Sequence, residues 1–217
     1  MAKGRWWKRA MAVGAGVAVL GSGIIAVAHR NILPTEKVDE VTDGDSFFIA
    51  NRQPIRLRAL DAPEPGNCYS LEAKAELKKL ILGKQVLLKE PQVDHFGRIL
   101  AIVYLGDQMI NELLIKNGFV LYTSYVGVEQ KHLEAASRYA RAHRLGIFSE
   151  KCYQVTPPDP KCNIKGNFDD NNNRKTYFLP ECSYYDVTIV EKFRGEQWFC
   201  SEKEAKTAGF TKAHYCP

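Results

Sequence analysis

Hydrophobic residues along this chain change their pattern four times. Between Arg9 and His29 lie nineteen residues without a charge, built from Ala, Val, Gly, Leu, Ile, Met and one Ser. From residue 40 onward the apolar positions shorten into runs broken by turn residues, which predicts strands over 40–41, 46–50 and 54–60. Over 70–82 the period changes: Leu71, Ala73, Leu77, Leu80 and Ile81 recur near helical spacing, with Ser70 as N-cap and Gly83 as stop. Strand-like composition returns at 85–89 and 98–105, followed by a short helix over 111–116 ended by Gly118. Leu133, Ala136 and Ala140 then mark one stripe of a helix over 128–144, closed by Gly146. After Cys152 the run Thr156-Pro157-Pro158-Asp159-Pro160 reads as a stiff linker. Beyond it, Ser201 and Glu204 form a capping-box pattern that predicts a helix over 202–208 stopped by Gly209.

Five short strands interrupted by helices suit a small closed barrel in a β-rich α+β chain, although strand count alone does not separate an OB-fold from other barrels. The expected organisation is an N-terminal hydrophobic helix over 1–30, a linker over 31–36, a barrel domain over 37–152, a Pro-rich linker over 153–161 and a small Cys-rich module over 162–217. A module of that size holds little core without crosslinks.

The N-terminal segment follows a basic start that contains Trp6 and Trp7. Its length exceeds the apolar stretch of about 7 to 15 residues in a cleaved signal and approaches the roughly 20 that span a bilayer. That favours a signal anchor, whereas four glycines and the small-residue run Ala26-Val27-Ala28 favour a cleaved signal. Either way the Lys and Arg residues on its N-terminal side place the body outside the cytoplasm, as a single-pass protein of a bacterial-type cell membrane or a secreted one. The same basic residues account for the formal charge of +5. Lys3, Arg5, Lys8, Arg9 and Arg30 precede the first acidic residue, Glu36, and the rest of the chain carries 25 basic and 25 acidic residues. Net charge therefore argues nothing about nucleic acid. Six cysteines, Cys68, Cys152, Cys162, Cys182, Cys200 and Cys216, suit an oxidising compartment. Zinc is the competing use of cysteine, but no tight two-ligand knuckle is present, and disulfides are the expected state.

Three clusters carry chemistry: Asp43-Gly44-Asp45-Ser46, then Arg56-Leu57-Arg58-Ala59-Leu60-Asp61-Ala62-Pro63-Glu64, then Asp94-His95-Phe96-Gly97-Arg98. They provide carboxylates for a hard cation and guanidinium groups for a phosphate. Taken in order, with Asn111-Glu112-x-Leu114 and Gly118 after them, they resemble the staphylococcal (thermo)nuclease family over roughly 37–148.

The resemblance implies a five-stranded OB barrel with three helices and the three clusters at one mouth. It also implies roles. Asp45 and Asp61, with the carbonyl of Ala62, hold Ca2+; Arg56 and Arg98 grip the scissile phosphate; Glu64 orients or deprotonates the attacking water. The implied activity is hydrolysis of DNA and RNA, single-stranded or locally melted, with low sequence specificity and 3′-phosphate products. Phe96 stands where the best-known member has a tyrosine, so stacking persists without a hydroxyl, and Tyr122 and Tyr125 flank the nucleotide or belong to the core. For Arg56 and Arg98 the alternative is a pair of surface salt bridges, and Arg58, a spare substrate contact if it points the same way as Arg56, is open in role. With this region taken as the nuclease-like one, Cys68 and Cys152 at its edges are expected to staple the loop after Glu64. The other four cysteines stay in the tail, with Cys162–Cys200 and Cys182–Cys216 as one of several possible pairings. Asp169-Asp170-Asn171-Asn172-Asn173 reads as a calcium loop or, lacking EF-hand spacing, as a polar loop tip. From another class altogether, a non-catalytic OB module binding nucleic acid or protein at the cell surface, and acting as a monomer, uses the same fold.

Overall fold

The computed structural model describes residues 35–169, 172–214 and 216, all within one compact unit, Asn31–Pro217. The hydrophobic segment over 1–30, most of the linker after it, and Asp170 and Asn171 of the polar loop lie outside these residues. Among the described residues no helix is long and apolar enough to cross a membrane.

The first part of the chain runs β1 (Glu36–Val41), β2 (Ser46–Ile49), β3 (Gln53–Leu57), β4 (Leu60–Asp61), α1 (Ser70–Ile81), β5 (Gln85–Val93), β6 (Ile99–Leu105), β7 (Gln108–Met109), α2 (Ile110–Lys116), β8 (Leu121–Tyr122) and α3 (Gln130–Ala142). The main sheet has the order β3-β2-β1-β5-β6-β7, and a further parallel pairing of β3 with β6 joins its ends. Five strands, β3, β2, β1, β5 and β6, thus close on themselves. The barrel interior is filled by Val38, Phe47, Ile55, Leu57, Leu88 and Ile102, and Leu77, Leu114 and Leu133 of the three helices pack against it, all with almost no exposure. Each such side chain contributes roughly 1.5–3 kcal/mol of transfer free energy.

Several element boundaries differ from the hydrophobic pattern for identifiable reasons. Strand β1 begins at Glu36 rather than 40, because its buried residues are Val38 and Val41. A bulge between Val38 and Glu40 breaks the two-residue alternation that signals a strand. Strand β5 continues past Lys89 to Val93 through a second irregularity, where Glu90 adopts φ 50° ahead of Pro91. In α1, Ser70 is not the N-cap but the first helical residue; the preceding Tyr69 sits in the left-handed region at φ 73° and no side chain caps the helix. The buried stripe is Ser70, Ala73, Leu77 and Ile81, which leaves Leu71 78% exposed.

The rest of the chain forms β9 (Tyr153–Gln154), β10 (Ile164–Asp169), β11 (Arg174–Phe178), β12 (Val190–Glu191), β13 (Gln197–Phe199), α4 (Glu202–Thr207) and β14 (Thr211–Lys212). Its main sheet has the order β13-β10-β11-β14 and carries a small core of Ile164, Tyr177, Leu179, Cys182, Phe199, Ala205 and Phe210. Helix α4 carries the N-cap its sequence predicts: the Ser201 hydroxyl accepts the Glu204 N–H at 3.3 Å, while the Glu204 carboxylate accepts the N–H of Cys200, one residue before the cap, at 2.8 Å. Three disulfides form: Cys68–Cys152, as expected, and Cys162–Cys200 with Cys182–Cys216, one of the several pairings open to the tail. A third cluster of Ala140, Ile147, Phe148, Cys152 and Phe193 packs α3 against the turn after β12. There Lys192 N donates to Cys152 O at 2.8 Å, and Asn67 Nδ2 donates to Phe193 O at 3.3 Å. The turn after β12 is thereby held against the loop that follows Glu64.

Candidate active site

The site starts from the tight connection between β1 and β2. Asp43 Oδ1 accepts the N–H of Asp45 at 2.9 Å, the local Asx geometry that an Asp-Gly-Asp sequence favours. Gly44 is required by space: a Cβ there would come within 2.7 Å of Ala73 Cβ and 2.8 Å of Ala62 Cβ. Helix α1 and the chain after β4 therefore close down on this turn, and Asp45 is left only 2% exposed.

Four donors converge on that carboxylate or its neighbour. Arg56 Nη1 lies 2.6 Å from Asp45 Oδ1, which also accepts the Ser46 hydroxyl at 2.7 Å; Asp45 Oδ2 accepts the Ala62 N–H at 2.8 Å. The other arm of the Arg56 guanidinium bonds Asp61 Oδ1. One planar fork thus joins two carboxylates that lie sixteen positions apart in sequence. The register explains why this is possible. Ser46 pairs with Arg56 across β2 and β3, and Asp61 ends β4, directly after the turn at Arg58 and Ala59, where Ala59 takes φ 68°. Burial pushes the Asp45 carboxyl up to about 7, against the pull of Arg56 and of the Ala62 N–H toward the charged form.

The donor chemistry suits a hard divalent cation: carboxylate and carbonyl oxygens, without thiolate or imidazole. Among the described residues no three His, Cys, Asp or Glu side chains gather into a cage, so any cation here would rest on two protein carboxylates and draw the rest of its shell from backbone, water and substrate. Arg56 is the positive charge shared by Asp45 and Asp61.

Glu64 is exposed and lines a cavity of about 260 Å3 together with Asp61, Ala62, Pro63 and Leu121. Arg98 pairs with its neighbour Asp94, Nε to Oδ2 at 2.8 Å, in a hairpin tip that Asp94 also fixes by accepting the Phe96 and Arg98 N–H groups. Phe96 is 70% exposed, with Arg98 Cζ 5.2 Å from its ring centre. Tyr122 is half-buried on β8, opposite Leu60 of β4 and next to Leu121, which faces Asp61. Tyr125 is buried and its hydroxyl donates to Glu90 Oε2 at 2.7 Å, which together with desolvation raises its phenol to about 12. Arg58 joins that same group, 3.7 Å from Glu90 and with its guanidinium 5.1 Å from the Tyr125 ring centre. The structure thus gathers Asp45, Arg56, Asp61 and Ala62, sets Glu64 in the adjoining cavity, and draws Tyr125 and Arg58 into the scaffold beneath.

A second, larger cavity of about 620 Å3 lies at Arg141, Arg144, Phe148 and Pro157, with none of the clustered acidic residues. Sequence reading missed two contributions to the first site. Ser46 was only part of a turn motif, yet its hydroxyl is aimed at Asp45. Phe168, Phe193 and Arg194 line the same cavity as Glu64, though they sit more than one hundred residues away and carry no motif that points there.

Comparison with known proteins gives the family. The family model described as staphylococcal nuclease homologue matches residues 54–150. "Micrococcal nuclease" of Shigella flexneri is 32% identical over 127 residues, covering 52% of this chain and 73% of that protein. "Thermonuclease" of Staphylococcus hyicus is 31% identical over 128 residues, 53% of this chain and 76% of that protein. An "Uncharacterized 38.1 kDa protein" of Capnoides sempervirens is 34% identical over 103 residues, and there the chain spans only 30% of its relative's length. With more than two thirds of both bacterial relatives covered at above 30% identity, the chain belongs to the family of staphylococcal nuclease homologues.

Proposed function

We propose that this protein is a calcium-dependent nuclease that hydrolyses phosphodiester bonds of single-stranded or locally melted DNA and RNA with low sequence specificity. The observation that carries the reading is the Arg56 fork between Asp45 and Asp61, with Glu64 in the cavity beside it. The similarity to relatives named micrococcal nuclease and thermonuclease supports the same activity.

Asp45, Asp61 and the Ala62 carbonyl are the groups that would hold Ca2+, which when bound supplies charge compensation for the phosphate and a lowered pKa for water. The chain's own residues do the rest. Arg56 is held in plane by two carboxylates, so its fork is oriented before substrate arrives, and it neutralises charge that accumulates on the phosphate oxygens in the transition state. Arg98 adds a second guanidinium from the hairpin tip, with Phe96 as a stacking surface. Glu64 takes a proton from water as its oxygen bonds to phosphorus; the bond from phosphorus to the 5′ oxygen breaks, that oxygen takes up a proton, and the products are a 3′-phosphate and a 5′-hydroxyl. Contacts confined to phosphate and ring faces read little sequence. Tyr122 lies at the rim of this site, and Tyr125 contributes by bracing Arg58 and Glu90.

The protein acts outside the cytoplasm, tethered by its N-terminal hydrophobic segment or released from it, and works as a monomer. Support for this comes from the basic residues before that segment and from three disulfides, which persist in oxidising compartments.

The test is cleavage of single-stranded DNA by the oxidised full-length protein in calcium and in chelator, beside Glu64→Gln and Arg98→Ala. Cleavage should require calcium and fall by a factor of about 10²–10⁴ in Glu64→Gln, with a loss of about 10²-fold or more in Arg98→Ala. Equal rates in all four conditions would refute the mechanism.

A further inference from the structure

The cavity beside Glu64 has a wall that the nuclease-like region does not supply. Phe168 is the penultimate residue of β10, Arg194 lies in the turn after β12, and both line the 260 Å3 space together with Asp61, Ala62 and Glu64. We propose that the C-terminal segment forms part of the substrate site, Arg194 taking a backbone phosphate and Phe168 a base face of the single strand whose scissile bond lies at Asp61 and Glu64. This rests on the nuclease reading and extends it, because a second part of the chain then determines which polymers bind.

The wall is built rather than incidental. Arg194 forms an ion pair with Glu191, Nε lying 2.8 Å from Oε2, and keeps 27% of its side chain exposed. A planar fork held in this way suits phosphate better than a flexible lysine does. Glu196, 2% exposed, ties the two elements together: Oε1 accepts the Phe168 N–H at 2.9 Å and Asn167 Nδ2 at 2.7 Å, while Oε2 accepts the Glu191 N–H at 2.7 Å. Phe168 and the partner of Arg194 are therefore referenced to one buried carboxylate. The whole turn is in turn fixed to the Glu64 loop, through Asn67 bonding Phe193 O and through the Cys68–Cys152 disulfide beside it. A phosphate-binding cation and an apolar ring flanking a nucleophilic centre are what a single strand needs on leaving that centre, since every base offers a face to stack and every linkage a charge.

Binding separates this from catalysis. The probe is a short fluorescent oligothymidylate, titrated against the full-length protein in chelator over a range of salt concentrations, for the parent, Arg194→Ala, Arg194→Lys and Phe168→Leu. Arg194→Ala should bind about tenfold more weakly, with a plot of log Kd against log salt shallower by about 0.7, the value for one phosphate contact on a single strand. Arg194→Lys should keep the parental slope. Phe168→Leu should bind roughly tenfold more weakly with the slope unchanged, since it removes a stacking face and no charge; it fills nearly the same volume, so it carries the test if Arg194→Ala fails to fold. Parental affinity and slope in both Arg194→Ala and Phe168→Leu, in a protein that still cleaves, would overturn the inference and leave the nuclease standing. Arg194-dependent binding without calcium-dependent cleavage by the parent would overturn the nuclease and support the binding wall.

Discussion

Two buried carboxylates, Asp45 and Glu196, show how differently single residues announce themselves. Asp45 sits in an Asp-Gly-Asp-Ser turn whose neighbours in sequence already point to a site; its burial, beside a Gly44 that is pressed against Ala62 and Ala73, appears only in three dimensions. Glu196 has no motif at all, one acidic residue between Gly195 and Gln197, yet it accepts three hydrogen bonds in the interior of the tail. Burial outweighs those donors and pushes its carboxyl from the ordinary 4.5 up to about 7. Between those two values the folded protein holds a proton that the unfolded chain has released, so raising the pH there favours unfolding. The contribution, at most about 3 kcal/mol, is complete below about pH 4.5 and is lost as pH rises through about 7. The urea midpoint of the tail, followed by hydrogen exchange of β10 and β11 amides, should accordingly fall between about pH 5 and about pH 8. In Glu196→Gln the midpoint should lie lower and vary less with pH, because an amide NH2 then faces either the Glu191 N–H or the donors of Asn167 and Phe168. A parental midpoint that rises over that range would contradict the account.

At the scale of elements, helices and barrel strands were legible where their period was clean, and obscured where the backbone departs from regular geometry. The Leu133, Ala136, Ala140 stripe of α3 is buried as read, and the N-cap of α4 forms its bond. The start of β1 and the end of β5 were hidden by bulges, and Tyr69 in the left-handed region displaced the expected cap of α1, since none of these is encoded in a two- or 3.6-residue repeat. Arg58, two residues from Arg56, is open in role by sequence; in the structure its guanidinium lies beside Glu90 and Tyr125. Asn111 holds these pieces together. It is fully buried at the start of α2, its Oδ1 accepts the Val103 N–H at 2.8 Å, and its Nδ2 donates to Arg58 O at 2.8 Å. One side chain thereby fixes α2 to β6 and to the turn that leads from Arg56 to Asp61. Asn111→Ala strands a buried donor and a buried acceptor, and should cost about 3 kcal/mol in a urea titration of the barrel. Activity should decline with it even at temperatures where the variant is folded, since the Arg56–Asp61 spacing depends on that turn. A loss below about 0.5 kcal/mol would show that water replaces both bonds.

For the molecule as a whole, the two halves stand on different supports. Among the described residues the barrel cluster contains more than twenty buried side chains, whereas the main tail cluster has seven, one of them Cys182 itself. Disulfides compensate unevenly. Cys162–Cys200 and Cys182–Cys216 close loops of 38 and 34 residues inside the tail, and by chain entropy each is worth about 4 kcal/mol, comparable with the whole margin of a small domain. Cys68–Cys152 closes 84 residues around a barrel that its own core already stabilises, so its main effect is to hold the loop after Glu64 against α3 and the turn at Lys192. Reduction should therefore proceed in two stages. At low reductant, amides of β10, β11 and β13 should lose hydrogen-exchange protection while those of β5 and β6 keep it, and the cavity wall at Phe168 and Arg194 should go with the tail. Under the proposed arrangement, oligonucleotide affinity then falls before calcium-dependent cleavage does, because Asp45, Arg56 and Asp61 belong to the barrel. Simultaneous loss of protection in β5, β6, β10 and β11 at one reductant concentration would show instead that the halves fold as a single cooperative unit and that the crosslinks stabilise both.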